Sequence, residues 1–211
     1  MSASQSSENR RHDLRILVID DHPALRAGLE GLLVGEPGLN CVGAIAGTEG
    51  IDEIVRRTRP DVVVLDYALG DDDGLTACFR LKQRLNPPAV VLYSAYVDNV
   101  FAVPAAMAQA DATVSKSAPV AELLSTIRHV ASGALTRPRL DPELTEAASA
   151  RLLTEDLPIA GMLLGATPVA DIADVLDVSV AEVRSSALRI IGRLQAGSRL
   201  KSRSPDAGLL A

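Results

Sequence analysis

Five polar side chains occupy positions where chemistry could occur, each directly after a short apolar run. The acid pair Asp20 and Asp21 follows LRILVI, Asp66 follows DVVVL, and Ser94 and Lys116 come at the ends of two later runs. Three carboxylates held close together repel one another, and this would raise their pKa values unless a cation joined them. Hard divalent cations prefer oxygen ligands, so the three acids predict a Mg²⁺ site.

The same side chains would support the transfer of a phosphoryl group. A carboxylate oxygen that attacks phosphorus needs its own charge and that of the phosphoryl oxygens offset, and positioning with electrostatics supplies most of such catalysis. Mg²⁺, the Lys116 ammonium and the Ser94 hydroxyl could provide it, and Asp66 is the best candidate for the attacking carboxylate. Taken singly, each acid could be a solvated loop residue and Lys116 an ordinary surface charge, but that alternative explains the whole set poorly.

The apolar runs before these residues predict buried β-strands, and the segments between them have helical spacing. The predicted strands are Leu14–Ile19, Cys41–Ala46, Asp61–Leu65, Ala89–Tyr93 and Ala112–Ser115. The predicted helices are Pro23–Leu33, Thr48–Thr58, Leu75–Leu85, Asn99–Gln109 and Pro119–Ala131. This alternation indicates a five-stranded parallel sheet, doubly wound with helices on both faces. The residues that follow the strands should therefore meet in one crevice at the carboxyl edge of the sheet.

The second half of the chain has only helical periodicity. Predicted helices at Asp156–Leu164, Val169–Leu176 and Val180–Leu194 follow a segment that contains prolines and mixed charge. We expect a disordered tail at 1–12, an α/β domain at 13–132, a linker at 133–150, a small all-α domain at 151–197 and a flexible tail at 198–211. Ser179 suits the N-cap of the last helix, so the final two helices predict a helix-turn-helix.

Composition excludes several classes of protein. No run reaches the roughly 20 apolar residues of a membrane span, and the polar N-terminus lacks the apolar core of a signal peptide. We therefore expect a cytoplasmic protein with no membrane partner. Cys41 and Cys78 lack the spacing of a metal or redox pair, so they suit small buried apolar positions. The net charge of −6 argues against strong non-specific binding of nucleic acid.

Residues 13–132 resemble the receiver domain of two-component response regulators, which has a flavodoxin- and CheY-like fold. The resemblance rests on Asp20-Asp21-His22-Pro23, on Asp66 with Gly74-Leu75 after it, on Ser94-Ala95 and on Lys116. The run DDHPALRAGL is similar to the NarL/FixJ group in particular. The family usually carries an aromatic residue three positions before the lysine, but this chain has Thr113 there.

The resemblance implies a mechanism. Asp66 would accept phosphate from a partner sensor histidine kinase. Asp21, Asp66 and the Ala68 carbonyl would ligate Mg²⁺, with Asp20 completing the acidic cluster. Ser94 and Lys116 would contact the phosphoryl group. An aromatic switch of the kind the family uses is in question because of Thr113.

Residues 152–195 resemble the LuxR-type helix-turn-helix that follows NarL/FixJ receivers. The matching frame is Gly165, Ile172-Ala173, Leu176, Ser179, Val183-Arg184, Ile190 and Arg193-Leu194. The resemblance implies a transcription regulator that binds promoter DNA as a homodimer. The expected DNA-binding residues are Ser179, Glu182, Arg184, Ser185, Arg189 and Arg193.

Two departures leave an alternative open. Glu182 places a carboxylate where the family commonly has threonine, and acidic side chains balance the basic ones across the helical domain. A carboxylate facing the groove repels phosphates unless it accepts from a cytosine amine. The chain could therefore be a signalling adaptor with a working receiver and an output domain that binds protein. A metal-dependent phosphohydrolase is a weaker alternative, because no separate substrate pocket is indicated, and we do not expect an enzyme.

Overall fold

The computed structural model describes residues 13–70, 72–95, 99–134 and 140–201. The expected tail at 1–12 and the part of the expected tail beyond residue 201 lie outside these residues. Within them, the chain forms an α/β half followed by an all-α half, which confirms the predicted fold class.

The first half alternates strands and helices along the chain. Its elements are β1 (Leu14–Ile19), α1 (Pro23–Gly35), β2 (Leu39–Ile45), α2 (Ile51–Thr58), β3 (Val62–Asp66), β4 (Ala68–Leu69), β5 (Asp72–Asp73), α3 (Gly74–Lys82), β6 (Ala89–Ser94), α4 (Asn99–Met107), β7 (Ala112–Ser115) and α5 (Val120–Ala131). The pair β4 and β5 forms a short antiparallel hairpin directly after β3, which the sequence patterns did not predict.

The main sheet is parallel throughout and has the strand order β2-β1-β3-β6-β7. Alternate residues of each strand enter opposite faces. Val62 and Val64 belong to one apolar cluster, while Val63 and Leu65 belong to the other. Burial on both faces explains why the strands are continuous apolar runs instead of alternating ones. The sheet thus presents the ends of β1, β3, β6 and β7 at one edge.

The second half is helical at every described residue that has regular structure. It contains α6 (Pro142–Ser149), a 3₁₀ turn (Thr154–Asp156), α7 (Leu157–Leu164), α8 (Val169–Leu176) and α9 (Val180–Lys201). Helices α8 and α9 pack through buried residues such as Ile172, Val183 and Ile190. Helix α6 occupies part of the segment expected as linker, and its N-cap is Asp141, whose side chain accepts from the Glu143 N–H.

The two halves pack against each other through α4. This helix contacts α6, α7 and α9, and α3 also contacts α9. Phe101 and Val103 on α4 belong to one continuous apolar cluster with Ile159 and Leu163 on α7. The structure therefore shows the two halves packed together, with α4 in contact with the helices of the second half.

Several boundaries differ from the predicted ones for local reasons. Helix α2 begins at Ile51 and not at Thr48, because Gly50 adopts a left-handed conformation with φ 66° at its N-cap. Helix α9 continues to Lys201, past the expected start of a tail at 198. Among the described residues, none of the helices combines the length and apolarity needed to cross a membrane.

Candidate phosphoacceptor site and DNA-binding helix

Lys116 joins two carboxylates at the carboxyl edge of the sheet. Its Nζ lies 2.7 Å from Asp20 Oδ2 and 2.6 Å from Asp66 Oδ2. Asp20 follows β1, Asp66 ends β3 and Lys116 follows β7, so three separate strands bring these groups together. Both carboxylates are buried. The convergence expected from the sequence is therefore present for these three residues.

Asp21 and His22 complete the acidic cluster. The Nδ1 atom of His22 lies 2.7 Å from Asp21 Oδ1 and 3.8 Å from Asp66 Oδ2. Asp20, Asp21, His22 and Asp66 each offer a ligand atom, and these atoms lie within 4.8 Å of one another. We had not included His22 in the site, although its place directly after the acid pair could have suggested it.

The cluster fits a divalent cation. Asp20 Oδ2 and Asp21 Oδ1 are buried and make no well-directed hydrogen bond, although Lys116 and His22 approach them at ion-pair distances. Buried oxygens of this kind are costly unless a partner completes them. A hard cation with oxygen ligands would do so, and Asp20, Asp21 and Asp66 would hold it.

Burial and neighbouring charges have opposite effects on the pKa values of Asp66 and Lys116. Burial raises the pKa of Asp66, and the nearby Asp20 carboxylate adds to this effect, while Lys116 lowers it without cancelling it. Burial alone would lower the pKa of Lys116, but its close contacts with the Asp20 and Asp66 carboxylates outweigh this effect, so the pKa is raised. The pairing therefore favours the charged form of Lys116, while burial makes ionisation of Asp66 less favourable.

The backbone around Asp66 is tightly packed. The Ala68 N–H donates to Asp66 Oδ1 at 3.3 Å, and the Gly74 N–H donates to the Tyr67 carbonyl at 3.1 Å. A Cβ on Gly74 would lie 2.2 Å from the Asp66 carbonyl oxygen, so only glycine allows this approach. Asp73 then caps α3 by accepting from the Leu75 N–H. The β4–β5 hairpin is thus fixed at both ends.

Ser94 and Thr113 lie on neighbouring strands. Ser94 ends β6, its side chain is buried, and its carbonyl accepts from the Lys116 N–H at 2.8 Å. Thr113 pairs with Leu92 in the β6–β7 ladder and is partly buried. The structure therefore places Ser94 beside Lys116 in the sheet, as expected.

The DNA-binding candidates lie on α9 and its N-cap, where a capping box starts the helix. Glu182 Oε2 accepts from the Ser179 N–H at 2.8 Å and from its hydroxyl at 2.7 Å, while the Ser179 Oγ accepts from the Glu182 N–H. This reciprocal pattern fixes the first turn of a helix. The hydrogen bonds from Ser179 lower the pKa of Glu182. The carboxylate that we expected to face DNA therefore also has a local structural role.

Two further candidates pair with a buried acid. Asp156 is buried, with Oδ1 3.1 Å from Arg189 Nη2 and Oδ2 2.6 Å from Arg193 Nη1. A buried charge requires such pairing, so both arginines stabilise the fold of the output domain. Sequence patterns gave no sign of this role for Asp156, which precedes α7 and meets α9 only in the folded domain.

Arg184 and Ser185 are exposed on α9. Arg184 lines a groove of about 350 Å³ between the domains, together with Val180 on α9 and Lys82 and Arg84 from the receiver half. One side of the first turns of α9 therefore lies beside the receiver in this arrangement, although Arg184 itself is exposed.

Comparison with known proteins identifies the first half. The family model described as "Response regulator receiver domain" matches residues 16–128. Over 203 residues the chain is 25% identical to the transcriptional regulatory protein LiaR of Bacillus subtilis, covering 90% of this chain and 94% of LiaR.

Two solved structures extend the comparison. A LuxR-family two-component response regulator from Aurantimonas is 29% identical, with a TM-score of 0.55, covering 64% of this chain and 97% of that one. RcsB of Salmonella enterica, solved on a promoter with a phosphate mimic, is 18% identical with a TM-score of 0.56, covering 87% of this chain and 92% of RcsB, and so shows shared fold. Together with the Asp20–Lys116–Asp66 cluster, the match to residues 16–128 places the chain in the response regulator receiver family.

Proposed function

We propose that this response regulator accepts a phosphoryl group on Asp66 from a sensor histidine kinase and controls transcription through promoter DNA. The observation that carries the proposal is the bridging of Asp66 and Asp20 by Lys116 at the edge of the sheet. This arrangement holds an anionic nucleophile beside a fixed positive charge. Phosphoryl transfer is catalysed largely by such positioning and charge stabilisation.

In the proposed reaction an oxygen of Asp66 forms a bond to phosphorus while the bond between phosphorus and the donor nitrogen breaks. Lys116 would offset the charge on the phosphoryl oxygens, and the Ser94 hydroxyl would donate to one of them. Asp20, Asp21, Asp66 and the Ala68 carbonyl would hold Mg²⁺, which supplies further charge neutralisation when bound. The raised pKa of Asp66, caused first by burial, fits a carboxylate that gains from a cationic partner.

The output side of the proposal concerns α9. We propose that Arg184 and Ser185 contact DNA directly and that Ser179 and Glu182 shape the start of the helix that enters the groove. Arg189 and Arg193 would contribute positive charge near the backbone while remaining paired with Asp156. LiaR is a transcriptional regulatory protein and RcsB has been captured on a promoter, which supports DNA over a protein partner as the target.

The proposal includes a change of arrangement and of assembly. Because Arg184 lines a groove beside Lys82 and Arg84 of the receiver when the domains are docked, we propose that separation of the domains favours DNA binding. A homodimer would place two copies of α9 on adjacent half-sites, which would offset the weak charge of a single output domain. The protein would meet both promoter DNA and the phosphohistidine of a sensor kinase in the cytoplasm, so we propose that it acts there.

Two measurements test the proposal. Incubation of the full chain with acetyl phosphate and Mg²⁺ should label wild type and leave Asp66→Asn unlabelled, whereas labelling of the variant would remove Asp66 as the acceptor. Fluorescence anisotropy with pooled promoter DNA should show binding that weakens steeply with salt and strengthens with a phosphate mimic. Folded protein that binds no DNA in either state would contradict the output assignment.

A further inference from the structure

Gln195 on α9 reaches the receiver domain. Its Nε2 donates to Asp73 Oδ1 at 2.5 Å, joining residues separated by 122 positions in the chain. Gln195 is buried, with 7% of its surface exposed. A buried amide is costly unless it is hydrogen-bonded, so this contact depends on close docking of the two domains.

Asp73 is part of the structure that holds the candidate acceptor. It belongs to β5, which pairs with β4 so that Ala68 lies opposite Asp73. The Ala68 N–H in turn donates to Asp66 Oδ1. Asp73 also receives the Leu75 N–H and, at 2.6 Å, the Thr76 hydroxyl. A displacement of Asp73 would therefore be felt at both Ala68 and the start of α3.

A second contact joins the segment after β3 to α4, the helix that packs against the output domain. Tyr67, the residue after Asp66, packs edge-on against Phe101 with ring centroids 4.9 Å apart at 75°. Both rings are buried, and Phe101 lies on α4, which contacts α6, α7 and α9. Such pairs favour this geometry beyond simple apolar burial. The residue that follows Asp66 is thus in direct contact with α4.

We propose that Gln195 is a positioning residue for phosphorylation. Its hydrogen bond to Asp73 holds the β4–β5 hairpin in the conformation found when the two domains are docked. In that conformation Asp66 is phosphorylated more slowly. The inference rests on the proposed role of Asp66 as acceptor. Coupling between two conformational equilibria is reciprocal in free energy, although rates do not change by the same factor. A hairpin that moves when Asp66 is phosphorylated therefore loses its hold on Gln195, and α9 is released by the same change.

Two substitutions at Gln195 separate this role from simple packing. In full-length protein, Gln195→Ala should raise the initial rate of labelling by acetyl phosphate by about tenfold, the size expected for loss of one hydrogen bond to a charged group. Gln195→Glu keeps the volume but cannot donate and repels Asp73, so it should raise the rate further. Both variants should also bind promoter DNA more tightly than wild type before phosphorylation.

Ala196→Glu is the matched control, because it adds the same charge at the exposed neighbouring position. It should leave the labelling rate unchanged. Asp73→Ser keeps a residue type that caps the N-terminus of α3 well. Its shorter side chain lacks the carboxylate that accepts the hydrogen bond from Gln195. Since one hydrogen bond is removed by either change, the double variant Gln195→Ala/Asp73→Ser should label no faster than the single ones.

Labelling of the Gln195 variants at the wild-type rate, or additive effects in the double variant, would overturn the inference while leaving Asp66 as acceptor. Absence of labelling in folded wild type would instead overturn the proposed function itself. A Gln195→Glu variant that behaves as wild type while Gln195→Ala is fast would show a packing role and would likewise overturn the hydrogen-bond account.

Discussion

Gly74 lies against the backbone of Asp66 so closely that a Cβ at Gly74 would be 2.2 Å from the Asp66 carbonyl oxygen. The same Cβ would lie 2.8 Å from both Tyr67 Cα and the Tyr67 carbonyl oxygen. All three neighbours are backbone atoms, which cannot rotate away as a side chain could. The start of α3 therefore packs directly against the end of β3, and it can do so only because Gly74 has no side chain.

We expect Gly74→Ala to destabilise the protein and to displace Asp66. Overpacking of this kind costs roughly 1–3 kcal/mol. Urea unfolding measures the loss, and labelling by acetyl phosphate should fall along with it. Gly31→Ala is the control, because nothing lies within 4 Å of its added Cβ. Equal stability of the two variants would show that the backbone at Gly74 adjusts easily.

Asp66→Asn should stabilise the protein in the absence of divalent cations. Burial raises the pKa of Asp66, so above that folded-state value the ionised carboxylate opposes folding, and below its unfolded value the penalty vanishes. Above the folded-state pKa of Asp66 the neutral amide removes this penalty. Thermal unfolding in a chelating buffer should give a higher Tm for Asp66→Asn than for wild type, and Mg²⁺ should raise the wild-type Tm more. The exposed Asp13→Asn change should alter neither result.

The start of α9 should weaken in acid. Hydrogen bonds from Ser179 lower the pKa of Glu182 in the folded state, so their stabilisation is present above the unfolded pKa and lost as pH falls through the folded one. The protection factors of the amides in the first turn of α9, which correct for the pH dependence of intrinsic hydrogen exchange, should therefore fall on acidification from neutral pH. Glu182→Gln, which retains an acceptor without the charge, should reduce this fall. An identical pH profile in the variant would exclude the capping carboxylate as its origin.

Replacement of the buried Asp156 carboxylate should lower the stability of the output domain against unfolding. Asp156→Asn weakens the pairing with both Arg189 and Arg193, and charged hydrogen bonds of this kind contribute about 1.5–3 kcal/mol. Thermal unfolding followed by circular dichroism measures the effect. Asp174→Asn, at an exposed position on α8, serves as the control. A similar Tm for both variants would mean that the arginines gain as much from water as from Asp156.

Arg184→Ala should weaken DNA binding at all sequences. A phosphate contact contributes one released counterion, so the slope of log affinity against log salt should fall by about one. Anisotropy titrations at several salt concentrations give that slope. Lys82→Ala, which changes a receiver residue paired with Asp111, should leave the slope unchanged. An unchanged slope in Arg184→Ala would remove this residue from the DNA surface.

The succession of strands along the chain and the positions of the acids after them could be predicted because both depend on local pattern. Apolar runs of strand length specify buried parallel strands, and the residues after them must meet at one edge. His22 was missed because a histidine after an acid pair resembles an ordinary loop residue until the distance from Nδ1 to Asp66 is known. Helix ends such as Gly50 depended on a backbone conformation that no periodicity encodes.

The roles of Asp156 and Gln195 could not be predicted for a different reason. Each meets its partners only when distant segments pack, Asp156 with α9 and Gln195 with the β4–β5 hairpin. In the sequence, Asp156 is one acid in a balanced domain and Gln195 a polar residue near the end of a helix. The sequence therefore predicts Arg189 and Arg193 only as DNA-binding residues, whereas the structure also pairs them with a buried carboxylate.

The docking of α4 against the output helices also has a thermodynamic consequence. When the domains separate, apolar side chains that are buried between α4 and α7 become exposed. They include Phe101 and Val103 on α4 and Ile159 on α7. Water then meets a newly exposed apolar surface, which is unfavourable in proportion to its area. Separation of the domains therefore carries a free-energy cost that grows with the apolar area exposed. Binding of DNA by the separated form must offset that cost, so the size of the shared apolar cluster sets how far the unphosphorylated protein stays docked.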